Sequence, residues 1–137
     1  MSQSLHKRIQ IRAMQSADLA QVEALDRVCF NDPWPAGSFV YEFENASNSV
    51  LMVAKDTQSD PGREIIGAVV IWLVVDEAHV GTIALLPEYR GQKIGLRLLS
   101  AALAEAARRG AVRSLLEVRA SNLAALHLYF GLGFETV

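Results

Sequence analysis

The chain has 137 residues, of which 51% are hydrophobic and 20% charged, and its net charge is −2. That is enough apolar material for one domain over residues 1–137, and it carries no basic excess for nucleic acid. The longest apolar stretch, residues 65–75, is too short and too β-branched to span a membrane, and the opening MSQSLHKRIQ lacks the apolar run of a signal peptide.

A single cysteine, Cys29, excludes an intrachain disulfide and fits a reducing cytoplasm. It stands beside Phe30 at the end of an apolar helical pattern, where packing is a better expectation than nucleophilic chemistry.

In chain order, Arg8-Ile9-Gln10-Ile11-Arg12 alternates polar and apolar residues and reads as a strand. Ser16 can cap a helix whose apolar face is Leu19, Val22, Leu25 and Val28. Pro33-Trp34-Pro35 breaks that helix, and a second one follows around Phe39, Tyr41 and Phe43. Val50-Leu51-Met52-Val53-Ala54 reads as a strand, and Asp60-Pro61-Gly62 is turn chemistry. Residues 65–75 and 79–86 predict a strand hairpin turning near Asp76-Glu77. The most regular helix runs over residues 91–109, with Leu96, Leu99, Leu103 and Ala106 on one stripe. Arg108 and Arg109 suit the negative end of its dipole, and Gly110 suits the C-terminal cap. A strand over 114–118, a short helix over 122–132 and the start of a last strand at 134–137 complete the order. The fold class is α/β in the mixed α+β sense: a mixed central sheet flanked by helices.

Two segments carry chemistry. The first joins a strand to the long helix: Leu85-Leu86-Pro87-Glu88-Tyr89-Arg90-Gly91-Gln92-Lys93-Ile94-Gly95, followed by Leu96. A helix start presents unpaired N–H groups and partial positive charge, and glycines allow an anion to come close. With Arg90 and Lys93 added, the segment suits a pyrophosphate; equally, it reads as a helix start with two glycines and solvated cations. The triphosphate P-loop string is absent, and the three glycines of a dinucleotide fingerprint are not supplied. The second segment is Leu116-Glu117-Val118-Arg119-Ala120-Ser121-Asn122, then Ala125, Leu128-Tyr129 and Gly133-Phe134. Asn122, Ala125 and Tyr129 share one helix face by spacing. Taken singly, Glu117 is a strand carboxylate beside Arg119, Asn122 a helix cap and Tyr129 a core tyrosine.

Together the two segments resemble the GNAT acetyltransferases. Pro87-x-x-Arg90-x-x-Lys93-x-Gly95 is similar to the family's coenzyme A signature, with Lys93 where the central glycine usually stands; at a helix start a lysine can adopt helical angles and its ammonium can still reach a phosphate. The second segment is similar to the branch of bacterial ribosomal-protein-alanine N-acetyltransferases. The resemblance implies an acetyl-coenzyme A cosubstrate and no metal. It implies that Glu117 accepts a proton and that Tyr129 donates one. It places the cofactor on Arg90, Gly91, Gln92, Lys93, Ile94, Gly95, Leu96 and Asn122, with its pantetheine arm along the backbone of Ile83, Ala84 and Leu85. His79 and His127 receive no catalytic role. The segment from Ala24-Leu25-Asp26 through Cys29-Phe30 and Pro33-Trp34 to Phe39 resembles the acceptor wall of protein N-terminal acetyltransferases.

The implied function is acetyl transfer to an amine, most simply the α-amine of a basic protein N-terminus, in the cytoplasm, without nucleic acid or membrane. A small-molecule amine acetyltransferase and a non-catalytic acyl-coenzyme A-binding module are the alternatives. Residues 15–48 carry six acids (Asp18, Glu23, Asp26, Asp32, Glu42, Glu44) against one base, Arg27, which suits a cationic acceptor. Family members continue beyond the Gly-Phe of the second segment, so the fold is expected to lack its C-terminal strand.

Overall fold

The structure, a computed structural model, describes residues 8–116. In that span β1 (Ile9–Ala13) leads through a 3₁₀ turn (Ser16–Asp18) into α1 (Leu19–Cys29) and α2 (Ser38–Glu44). Then come β2 (Ser49–Asp56), β3 (Ile65–Val74) and β4 (Glu77–Leu85), a 3₁₀ turn (Pro87–Tyr89), α3 (Ile94–Arg108) and β5 (Arg113–Leu116). The strands lie in sequence order in one sheet. Pairing is antiparallel from β1 to β4 and parallel between β4 and β5, with α3 as the crossover. This is the mixed sheet flanked by helices that the sequence predicts. Glu117, Asn122, Ala125, His127 and Tyr129 lie outside the described residues. So do the helix over 122–132, the last strand and the expected gap at that end.

Alternation along β2 explains the two cores. Val50 and Ala54 pack on the α3 side with Ile94, Leu98 and Leu99. Leu51 and Val53 pack on the other side with Val22, Leu25 and Phe39 of α1 and α2. β3 is buried on both faces from Ile65 to Ile71, which is why it reads as a continuous apolar run instead of an alternating one.

Four local expectations shift. In α1, Val22 and Leu25 face inward, but Val28 is 64% exposed. Asp26 takes the inward place, because its Oδ2 accepts the Trp34 N–H at 2.7 Å and closes the break after the helix. The start of α1 is organised by Asp18 instead of Ser16. Its carboxylate accepts the Gln15 N–H and both arms of the Arg12 guanidinium. In α3, helical angles begin at Ile94, and the buried stripe is Ile94, Gly95, Leu98, Leu99, Ala102 and Ala106. Leu96 and Leu103 lie on its half-buried flank. The β3–β4 hairpin pairs Val74 with Glu77, so the turn is Val75-Asp76, one residue early. Val75 sits there at φ 57 and is 97% exposed.

One irregularity prepares the site. The β3–β4 register passes from Val70↔Thr82 to Ile71↔Val80, which leaves Gly81 as a bulge. The Trp72 ring lies against it: a Cβ on Gly81 would meet ring carbons at 2.7 Å. β5 pairs with β4 over residues 77–80, and residues 82–85 pair with β3.

Candidate active site

The cradle predicted from the sequence sits where β4 gives way to α3. Ile83 and Ala84 are buried and Leu85 is half-buried, each bonded on one side to β3. The chain leaves through Pro87–Tyr89 and crosses residues 90–93. Gly91 adopts φ 78, and Lys93, the residue before the first helical turn, adopts φ 66, ψ 14. The expectation of helical angles for Lys93 is therefore corrected. Its backbone is left-handed, a conformation that costs an ordinary side chain about 1–2 kcal/mol. This explains why the family motif has glycine there.

No side chain caps α3, and its first turn holds no acid. Fifteen residues of helix thus direct the positive end of their dipole and uncapped N–H groups at the cradle. Gly91, Gln92 and Lys93 are exposed, while Ile94 and Gly95 are buried beneath. A phosphate-bearing ligand fits this arrangement. The Arg90 guanidinium folds back, its Nε donating to the Leu85 carbonyl at 3.0 Å. Cys29 Sγ reaches the same carbonyl at 3.4 Å. Burial pushes the Cys29 thiol pKa up, with Arg90 opposing, so Cys29 is a packing residue and not a ready thiolate.

Sequence reasoning missed two constellations around this strand end. Asp56, the last residue of β2, is 0% exposed. Its carboxylate accepts from Arg8 Nε (3.0 Å) and a terminal guanidinium nitrogen (2.8 Å), from the Gln58 N–H (3.0 Å) and from the Tyr89 hydroxyl (2.7 Å). Burial alone would raise its pKa; the Arg8, Tyr89 and Gln58 hydrogen bonds outweigh that and lower it to about 2. The Asp56–Tyr89 contact joins residues 33 apart in the chain, and no spacing rule would have found it.

The second constellation is aromatic. Trp34 stacks on Phe39 (centroids 4.9 Å apart) and on Trp72 (5.7 Å). The Trp72 indole N–H donates to Glu42 at 2.9 Å. The segment around Trp34 thus forms a wall that reaches the Gly81 bulge. A run of apolar residues concealed Trp72, although tryptophan is a natural stacking partner.

The acidic segment is less open than its composition suggests. Asp18 and Asp26 are buried, and Asp18 is paired with Arg12 at 2.7 Å. Glu23 accepts the Gly37 N–H, and Glu42 serves Trp72. His79 lies 3.1 Å from Glu77 at the far end of β4, away from the cradle. Among the described residues, no group of three or more His, Cys, Asp or Glu side chains is placed to hold a metal ion. None of the described helices is long and apolar enough to cross a membrane.

A buried strand end that runs into an exposed, uncapped helix start suits a phosphate-bearing carrier, and comparison with known proteins gives the class. Residues 19–134 match the Acetyltransferase (GNAT) family; the chain belongs to that family and is by class an acetyl-coenzyme A-dependent N-acetyltransferase. It is 35% identical over 126 residues to a Bacillus subtilis (strain 168) protein provisionally named a ribosomal protein bS18-alanine N-acetyltransferase, covering 91% of this chain and 80% of that protein. It is 32% identical over 125 residues, with the same coverages, to the ribosomal protein bS18-alanine N-acetyltransferase of Escherichia coli (strain K12). The crystal structure of the ribosomal-protein-S18-alanine N-acetyltransferase from Escherichia coli superposes with a TM-score of 0.78 at 28% identity, covering 94% of this chain and 79% of that one.

Proposed function

We propose that this chain moves the acetyl group of acetyl-coenzyme A onto the α-amine of a basic protein N-terminus, a ribosomal protein beginning with alanine, in the cytoplasm. The observation that carries the proposal is the junction over residues 85–94. There the buried end of β4 meets an uncapped helix start through two left-handed residues. Relatives at 32–35% identity named for ribosomal-protein-alanine acetylation support the choice of acceptor.

In this reading the backbone of residues 91–96 holds the pyrophosphate, with Lys93 adding its charge and Arg90 fastened to the strand end. The backbone of Ile83, Ala84 and Leu85 accepts the pantetheine arm as an added strand would. When bound, the cosubstrate supplies a thioester whose acyl carbon is open to attack. Glu117 takes the proton of the acceptor amine, directly or through water, and Tyr129 protonates the departing sulfur. Asn122 contacts the cofactor. A chain terminus has a pKa near 8 and a lysine near 10.4, so at neutral pH roughly a tenth of the former is neutral but under a thousandth of the latter. A carboxylate base therefore suits an α-amine.

The test is incubation of the purified protein with acetyl-coenzyme A, free-N-terminus peptides and small amines, read by mass spectrometry. Acetylated peptide is expected. Product on small amines alone would transfer the site to small-molecule chemistry. Binding without product would leave an acyl-coenzyme A-binding module, and absence of binding would overturn the reading.

A further inference from the structure

The buried carboxylate of Asp56 takes no part in the proposed chemistry, yet it is among the most heavily bonded side chains of the described residues. It stands where β1, β2 and the β2–β3 loop converge. Its own N–H donates to Glu64 O, and the next residue, Thr57, donates to Arg8 O. Three of its four side-chain bonds come from that corner. The fourth comes from Tyr89, which ends the 3₁₀ turn immediately before Arg90. Beyond Tyr89 the cradle is exposed over residues 91–93, and two of those three residues are left-handed. A segment like that has few contacts to define it. At its far end it is fixed by α3. At its near end the Arg90–Leu85 bond is local, joining residues only five apart. Tyr89 ties it to a distant part of the sheet, 33 residues back in the chain.

We propose that Asp56 and Tyr89 are positioning residues: the Tyr89–Asp56 hydrogen bond presets the cradle so that its N–H groups already converge before a pyrophosphate arrives. This rests on the reading of the cradle as the coenzyme A site. The physical gain is preorganisation, since a loop already held in its bound shape loses less entropy when the ligand binds. A donor to a charged, water-excluded acceptor is the strong kind of hydrogen bond for that task. Ser59 Oγ touches the outer side of the same hydroxyl at 3.4 Å and has no such role.

The experiment compares acetyl-coenzyme A with acetyl-pantetheine, which lacks the pyrophosphate and nucleotide. In Tyr89→Phe, KM for acetyl-coenzyme A should rise about tenfold, with kcat within twofold of wild type, while KM for acetyl-pantetheine stays unchanged. Asp56→Asn loses the Arg8 ion pair but keeps an oxygen that can accept from Tyr89; its KM for acetyl-coenzyme A should rise less than that of Tyr89→Phe. Ser59→Ala is the control and should behave as wild type. Equal losses with both acyl donors in Tyr89→Phe would mean a general loosening and would overturn the inference, as would an unchanged KM for acetyl-coenzyme A. A wild-type protein that does not bind acetyl-coenzyme A would instead remove the reading of the cradle itself.

Discussion

The proposed chemistry rests on two side chains, Glu117 and Tyr129, and the corner around β2 rests on one, Asp56. Tyr129→Phe should retain cosubstrate binding and lower kcat about 10²- to 10⁴-fold, the usual worth of a positioned proton donor. Glu117→Gln should also slow turnover and flatten the acidic limb of the rate profile; wild-type rates in both variants would contradict their assignment. Asp56 gives a stability test with a defined sign. Its folded pKa is lowered from 3.8 to about 2, so its contribution is full above pH 4 and is lost as pH falls towards 2. Asp56→Asn should therefore cost about 2 kcal/mol at neutral pH. In denaturant titrations that gap should narrow steadily between about pH 4 and 2. Lys93 holds a left-handed backbone at the exposed start of the long helix, where the proposed reading gives its charge to a phosphate. Lys93→Gly should keep or raise Tm while weakening acetyl-coenzyme A binding severalfold in calorimetric titration.

Elements show how local rules yield to tertiary ones. The helix pattern of α1 was legible in Val22 and Leu25, but Val28 gave way to Asp26, because a buried carboxylate bonded to the Trp34 N–H outcompetes one more apolar contact. The α3 stripe is rotated by a fraction of a turn because small residues, Gly95 and Ala102, take central places against the sheet beside Leu98 and leave Leu96 and Leu103 on the flank. Strands β2 and β3 were legible from composition, since β-branched runs buried on both faces leave little else to form. The bulge at Gly81 was not, for it exists to admit the Trp72 ring, a partner set by pairing register. Gly81→Ala should destabilise by about 1–3 kcal/mol, because Trp72 is pinned by Trp34 and Glu42 and has nowhere to move. The hairpin offers the opposite case. Val75→Asn at φ 57 should stabilise by about 0.5–1 kcal/mol and raise Tm by a few degrees. A drop in Tm would mean that the turn is held by something other than its dihedral preference.

Across the whole molecule, charge separates the acidic segment over residues 15–48 from the basic segment around the start of the long helix. The structure trims this contrast by burying Asp18 against Arg12 and Asp26 within α1. Of the others, Glu23 and Glu42 also accept from the Gly37 N–H and the Trp72 indole, and Glu44 is exposed. A neutralised or buried acid contributes little field, so salt should lower kcat/KM only modestly for an Arg/Lys-rich peptide and hardly at all for a neutral one. Equal salt dependence would remove the electrostatic part of acceptor choice. The helix start after β4 and the element order of the described residues were legible in the sequence because they rest on contiguous residues and on the 2.0 and 3.6 periods. The Asp56 corner and the aromatic wall rest on contacts between distant segments and had no such signature. The central claim, acetyl transfer to an N-terminal α-amine, is tested most directly with one peptide. It begins with alanine, carries an internal lysine, and is incubated with enzyme and acetyl-coenzyme A before fragmentation mass spectrometry. A single acetyl group on the alanine nitrogen is predicted; an acetyl group on the lysine, or an unmodified peptide, would contradict it.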